Sequence, residues 1–134
     1  MSPKKEIIPT EQGGHPIPWP YSHGVRVGDT LYIAGQVALD EELRLVGPGD
    51  PEAQARHTWQ NIQKVCEAAG GKVTDVVRIV TFVRDISAMD AIHDVRREFF
   101  PDGDYPAASV FQVAALGLPG LELETEATAV IGCS

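Results

Sequence analysis

Apolar positions along the chain fall into two periodicities separated by turn signals. Glu6-Ile7-Ile8 reads as a short first strand, after which residues 9–20 hold Gly13, Gly14, Pro16, Pro18 and Pro20. Prolines at that density exclude helix and disfavour a ladder strand, so the stretch reads as a connecting segment. Residues 22–37 read as two strands around a Gly28-Asp29 turn, with Val25 and Val27 alternating with polar neighbours and Leu31, Tyr32 and Ile33 resuming an apolar run. Charges and glycines make 40–49 a loop. Asp50 then stands as an N-cap before Pro51, and Ala55, Trp59, Ile62, Val65, Cys66 and Ala69 recur at helical spacing until Gly70-Gly71.

Val76 to Val83 is β-branched and short enough for a buried strand. Ser87 followed by Asp90 suggests a capping box for a second helix with Ala88, Ala91, Ile92, Val95 and Phe99 on its apolar stripe, ended by Pro101. Two last strands are expected over 107–116 and 121–131. The order β-β-β-α-β-α-β-β predicts an α+β domain with two helices packed on one face of a sheet. The other face would expose Val, Leu and Phe unless a second copy covers it, so self-association is expected.

Composition narrows the function classes. The 134 residues carry 11 Lys+Arg against 19 Asp+Glu, a net charge of −8. Nucleic-acid binding relies on basic side chains that neutralise phosphates, so neither nucleic acid nor an anionic membrane is an expected partner. No apolar run approaches the ~18 residues of a membrane-spanning helix. MSPKKEIIPT lacks an apolar secretory core, and the cytoplasm is the expected location. Cys66 and Cys133 form no CxxC pair, and no HxxH or HExxH spacing occurs, so no metal site is expected. Cys66 falls on the buried stripe of the first helix and reads as an inert core thiol.

The stretches PYSHGVRVGDTLYIAGQVALD (20–40), AQARHTWQNIQKVCEAAGG (53–71), VVRIVTFVRDISAMDAIHDVRREFF (76–100), YPAASVFQVAAL (105–116) and LELETEATAV (121–130) resemble, in the same order, the Rid (YjgF-like) family of imine/enamine deaminases. The resemblance covers nearly all of residues 1–134, as a single domain. It implies a chorismate-mutase-like α+β fold, a mixed sheet whose copies join as a homotrimer around an inner β-barrel. It also implies small-molecule sites in the clefts between subunits, and no cofactor or metal. Deaminases of the family hydrolyse intermediates such as 2-aminoacrylate to 2-oxo acids and ammonia.

Carried over by position, Glu124 matches the carboxylate that orients water, and Tyr21 and Gly35 match substrate-lining residues. Ala34 replaces a small hydroxyl residue and His93 replaces an asparagine of the second helix. The largest departure is Ala108, where the deaminases carry an arginine that clamps the substrate carboxylate; Val110 stands where cysteine is common. Arg26, Arg78, Arg84, Arg96 and Arg97 are candidate substitutes. Ala108 and Val110 enlarge the expected pocket and make it more apolar, which suits a bulkier or aromatic ligand.

Taken on their residues alone, Glu122, Glu124 and Glu126 should share one strand face by period-two alternation, as either a solubilising face or a site. His23 should lie on the same strand face as Tyr21, and His15 and His57 read as structural or exposed. Three functions follow: a hydrolytic deaminase acting on a substrate other than 2-aminoacrylate, a non-catalytic ligand-binding or regulatory trimer, and a pathway-specific deaminase of an aminomuconate-type intermediate. The ribonuclease label sometimes attached to the family fits poorly with a charge of −8.

Overall fold

The structure, a computed structural model, describes residues 2–134. Six strands form one sheet: β1 (Lys5–Ile7), β2 (Gly24–Val27), β3 (Thr30–Gln36), β4 (Val76–Val83), β5 (Ala107–Gln112) and β6 (Leu123–Val130). The spatial order is β1-β2-β3-β6-β4-β5; every pair is antiparallel except β4 with β5. Helices α1 (Pro51–Ala68) and α2 (Met89–Phe99) both lie on one face. The parallel β4–β5 pair needs a crossover, and α2 supplies it.

Local chemistry explains the boundaries. Gly28 sits at φ 60° as the first central residue of the β2–β3 hairpin, the position a type II′ turn reserves for glycine. Asp50 caps α1 by accepting from the Ala53 N–H at 3.0 Å. Gly70 at φ 85° follows the helix, and Arg26 Nη1 donates to the carbonyl of Ala69 at 2.6 Å. The capping box expected at Ser87 and Asp90 does not form. Asp85 instead accepts from the Ser87 N–H at 2.9 Å, which starts a short 3-10 turn over Ile86–Ala88, and α2 begins only at Met89.

Strand lengths also differ from the sequence pattern at their ends. β1 pairs from Lys5, and β6 begins at Leu123. β5 stops at Gln112, although the apolar run continues to Leu116, because its partner β4 ends at Val83. Pairing, not hydrophobicity, sets where a strand stops.

Leu31, Ile33, Ile79, Val83, Leu123, Ala127 and Ala129 send their side chains under the helices, against Ile62, Val65, Cys66, Ile92 and Val95. Trp59 joins the helices, stacking on Phe99 at 5.7 Å and meeting Phe100 edge-on at 5.4 Å. Burial pushes the Cys66 thiol up to about 12, so it is an unreactive core residue. The opposite sheet face is uncovered. Tyr32 and Phe111 are both more than half exposed there (54% and 55%), and Phe82 stacks on Phe111.

Asp75 ties the C-terminal segment to the rest. Its carboxylate accepts from the Ser134 hydroxyl (2.6 Å) and from the N–H groups of Lys72, Gly132 and Ser134. Burial alone would raise this carboxyl, but the four donors outweigh burial and hold it at about 2. A depressed folded-state value means that stability is fully present above the unfolded value near 4 and is lost as pH falls toward 2. Asp75→Ala should lower the unfolding free energy by ~2 kcal/mol. It should also flatten the acid limb of a denaturant-midpoint profile between pH 4 and 2; an unchanged acid limb would count against this assignment.

Candidate active site

The site begins with an irregularity in the sheet. The register of β3 against β6 shifts between Ile33 and Gln36, so Ala34 and Gly35 leave the regular ladder. Alternation on β6 puts Leu123, Thr125, Ala127 and Ala129 under the helices and Glu124 on the open face. The Glu124 carboxylate lies directly over Gly35: a Cβ there would overlap Glu124 Oε1. Burial first, and the negative charge of Glu126 second, raise the Glu124 carboxyl above the ordinary glutamate value. Burial followed by the charge of Glu124 likewise raises the Tyr21 hydroxyl.

Two buried polar side chains hold this irregularity in place. His23 Nε2 lies 2.7 Å from the carbonyl of His15, which can only accept, so Nε2 carries the proton. His23 Nδ1 then accepts from Gln36 Nε2 at 3.2 Å, and Gln36 also donates to the Ala34 carbonyl at 3.1 Å. The Ala34 N–H in turn reaches the His23 carbonyl at 2.8 Å. Burial lowers the His23 value, which keeps the ring neutral as this pattern requires. Gly13 is bare because a side chain would overlap the His23 ring.

Beside Gly35 and Glu124 opens a cavity of about 470 Å³. Trp19 and Tyr21 form one wall, their rings parallel to within 5° with centroids 6.4 Å apart. Val37, Leu39, Leu118 and Leu121 form the other, within a second small apolar cluster. Gln54 on α1 anchors that wall: its Nε2 donates to the carbonyls of Gly47 and Gly120, and its Oε1 accepts from the Glu122 N–H at 2.8 Å. Glu124 is the one carboxylate of the cavity, and no Lys or Arg lines it among the described residues.

The expected site residues divide into groups. Tyr21, Gly35 and Glu124 come together here. His93 lines a separate notch with Arg96, Arg97 and Tyr105. Ala108 and Val110 lie on the edge strand β5, in register with Ile79 and Thr81 and therefore on the helix side, and both are exposed. In one chain none of these three lines the Glu124 cavity.

Two expectations need correction. His23 does not share a face with Tyr21, because residues 21–23 precede β2 and do not alternate; His23 is fully buried while Tyr21 is 44% exposed. Glu122 lies outside β6, so alternation groups only Glu124 with Glu126. Trp19 and the leucine wall escaped a reading by motif. The available signal was a tryptophan in a proline-rich segment two residues from Tyr21.

The family described as Endoribonuclease L-PSP matches residues 16–131. The chain belongs to the Rid (YjgF-like) family. A relative from Dermatophagoides farinae named 2-iminobutanoate/2-iminopropanoate deaminase is 39% identical over 116 residues, 87% of this chain and 88% of the relative. The Escherichia coli YjgF gene product superposes with a TM-score of 0.83 at 33% identity, covering 93% of this chain and 98% of that one. The Rid protein YyfA of Yersinia pestis gives 0.88 at 28% identity over 96% and 100%. Two helices on a mixed six-stranded sheet are thus the Rid fold. No helix is long and apolar enough to cross a membrane, and no group of three metal-ligating side chains occurs among the described residues.

The electrostatics of this Rid site are open to measurement. In a carboxyl-carbon NMR titration, Glu126→Gln should lower the Glu124 value without returning it to that of a free glutamate, since burial is the larger cause. A Glu124 titration indifferent to Glu126 would refute the coupling.

Proposed function

We propose that the chain is a hydrolytic imine/enamine deaminase working as a homotrimer, with Glu124 orienting the attacking water. The observation that carries this reading is a half-buried carboxylate with a raised pKa, seated over bare backbone at Gly35 in a largely apolar cavity. Water adds through oxygen to the C=N carbon and passes a proton to Glu124, which delivers one to nitrogen. The carbinolamine hydroxyl then gives its proton to Glu124, which passes one to the amino nitrogen as the C–N bond breaks, leaving a carbonyl product and ammonia. A carboxylate with a raised pKa suits both proton steps near neutral pH. Tyr21 and Gly35 line the bound substrate.

The trimer would cover the open sheet face that bears Tyr32, Phe82 and Phe111. In such an assembly a neighbouring copy supplies the far wall of each cleft, and His93, Ala108 and Val110 take part from there. This oligomer accounts for site residues that one chain holds apart.

Substrate size follows from what the cleft lacks. A small 2-imino acid brings a carboxylate toward Glu124, and Ala108 offers it no countercharge. Losing a bidentate charged contact costs ~2–5 kcal/mol of binding. The Trp19 and leucine walls instead reward apolar area, at ~25 cal/mol per Å² buried. The substrate is therefore bulkier than 2-aminoacrylate, with an apolar or aromatic substituent against Trp19. The relative's name, 2-iminobutanoate/2-iminopropanoate deaminase, supports the reaction class. Ala108 favours one other reading, a trimer that binds a ligand without hydrolysing it.

An amino-acid oxidase supplying short-lived imino acids, with ammonia release as readout, separates these. Wild type should accelerate hydrolysis of imines from leucine and phenylalanine more than that from alanine, and Glu124→Gln should lose at least ~100-fold. Trp19→Ala should reduce kcat/KM about tenfold for the bulky imines and leave the alanine imine unaffected. A silent wild type that still binds the imino-acid products would establish the binding trimer instead. Sedimentation should give three times the chain mass, and Phe111→Asp should reduce it; a wild-type monomer at micromolar concentration would refute the assembly.

A further inference from the structure

The arginines of this acidic chain are almost all accounted for. Arg26 reaches the Gly28 and Ala69 carbonyls, Arg44 pairs with Asp40 and Glu42, and Arg56 forks onto Glu98. Arg78 donates to the Ser109 hydroxyl at 2.9 Å, and Arg97 pairs with Asp94 at 2.7 Å. Arg84 is exposed. Arg96 is different. It is half-buried on α2, its Nε is shut away from solvent, and that Nε has no partner among the described residues.

An unpaired, partly dry guanidinium is costly in any protein and stands out in a chain with eight excess negative charges. Arginine cannot escape by losing its proton at neutral pH. Its place in the last turn of α2 would ordinarily be explained by the helix-end carbonyls, yet Arg96 donates to none of them. A snorkelling arginine would bury its stem and keep its head wet, whereas here part of the head itself is sheltered. Burial and the neighbouring charge of Arg97 both press against its protonated form. Arg97 is turned to Asp94, and among the described residues no carboxylate pairs with Arg96.

Arg96 opens, together with His93, Arg97 and Tyr105, onto a notch of about 240 Å³. An imidazole, a phenol and two guanidinium groups, one of them paired with Asp94, line so small a space with donors and no carboxylate. We propose that this notch binds the carboxylate of a small organic acid, with Arg96 as its cation. The planar fork of arginine is matched to a carboxylate, and partial desolvation strengthens their attraction. The imine-hydrolase reading enters only in naming the acid, which is then a 2-oxo acid of the kind that reaction releases. The alternative occupant is a carboxylate side chain from a second copy of the chain, and the oligomer readout below separates the two.

The test compares 2-oxobutanoate with its uncharged isostere 2-oxobutanamide by calorimetry on the assembled protein. Wild type should bind the acid at least about tenfold more tightly than the amide, with the preference falling as salt is added. Arg96→Gln should abolish the preference, Arg96→Lys should restore part of it, and Lys64→Gln, at an exposed position on α1, should leave it unchanged. No preference in wild type, or the same preference in Arg96→Gln, overturns the proposal. It is also overturned if Arg96→Gln dissociates the oligomer while the preference survives, since the partner of Arg96 is then another subunit. Failure of the functional reading looks different: wild type keeps the acid preference but hydrolyses no imine, while a Glu124→Gln protein that loses hydrolysis and keeps the preference supports both.

Discussion

Strict alternation on β6 governs most of this molecule. Four alternate positions, Leu123, Thr125, Ala127 and Ala129, must lie under two helices, and the sequence between them has no freedom left. Glu124 and Glu126 are thereby driven to the uncovered side, where one of them meets the backbone of β3. A one-residue slip would bury both carboxylates beneath α1 and expose the core. The same rule that fixes the fold therefore aims the acid. Its consequences reach the subunit level too, because a sheet with one finished face presents the other to whatever will dry it.

The carboxylate alone would make no site. Its neighbourhood is built by polar groups buried deep in the molecule, each with a mechanical task. His23, linked to Gln36 and the His15 carbonyl, sets where Ala34 and Gly35 leave the ladder. Asn61 Nδ2 reaches the Val37 carbonyl at 3.0 Å and steadies the strand end beyond them. Each of these hydrogen bonds favours the observed backbone over others, because breaking it leaves a further buried donor and carbonyl unpaired in a dry interior.

Much of the architecture was legible in the residues. Asp50-Pro51 and Gly70 bracketed α1 because capping chemistry is local, and the Gly28-Asp29 hairpin was readable for the same reason. The ends of β5 and the start of α2 were not, since the first depends on where β4 stops and the second on a turn seeded by Asp85. Tyr21, Gly35 and Glu124 were placed together by likeness to the Rid family, not by any local pattern. Trp19, Gln54 and Asn61 were missed for a common reason: a hydrophobicity pattern does not weight a loop tryptophan or a polar residue that the fold chooses to bury. His23 departs from the expected face because alternation holds only from Gly24, where β2 begins.

Gln54 shows what such a buried amide implies for altering the protein. It grips Gly47, Gly120 and Glu122 at once, so two loops far apart in sequence move only as one with the first helix. Leu118 borders the cavity two residues before Gly120 and takes no part in that grip. Trimming Leu118 would reshape the chamber while its frame stays fixed, whereas replacing Gln54 would loosen a wall from a residue that does not line the cavity. The protein thus keeps its rigidity and the shape of its cavity on different side chains, a division that lets one drift while the other is preserved.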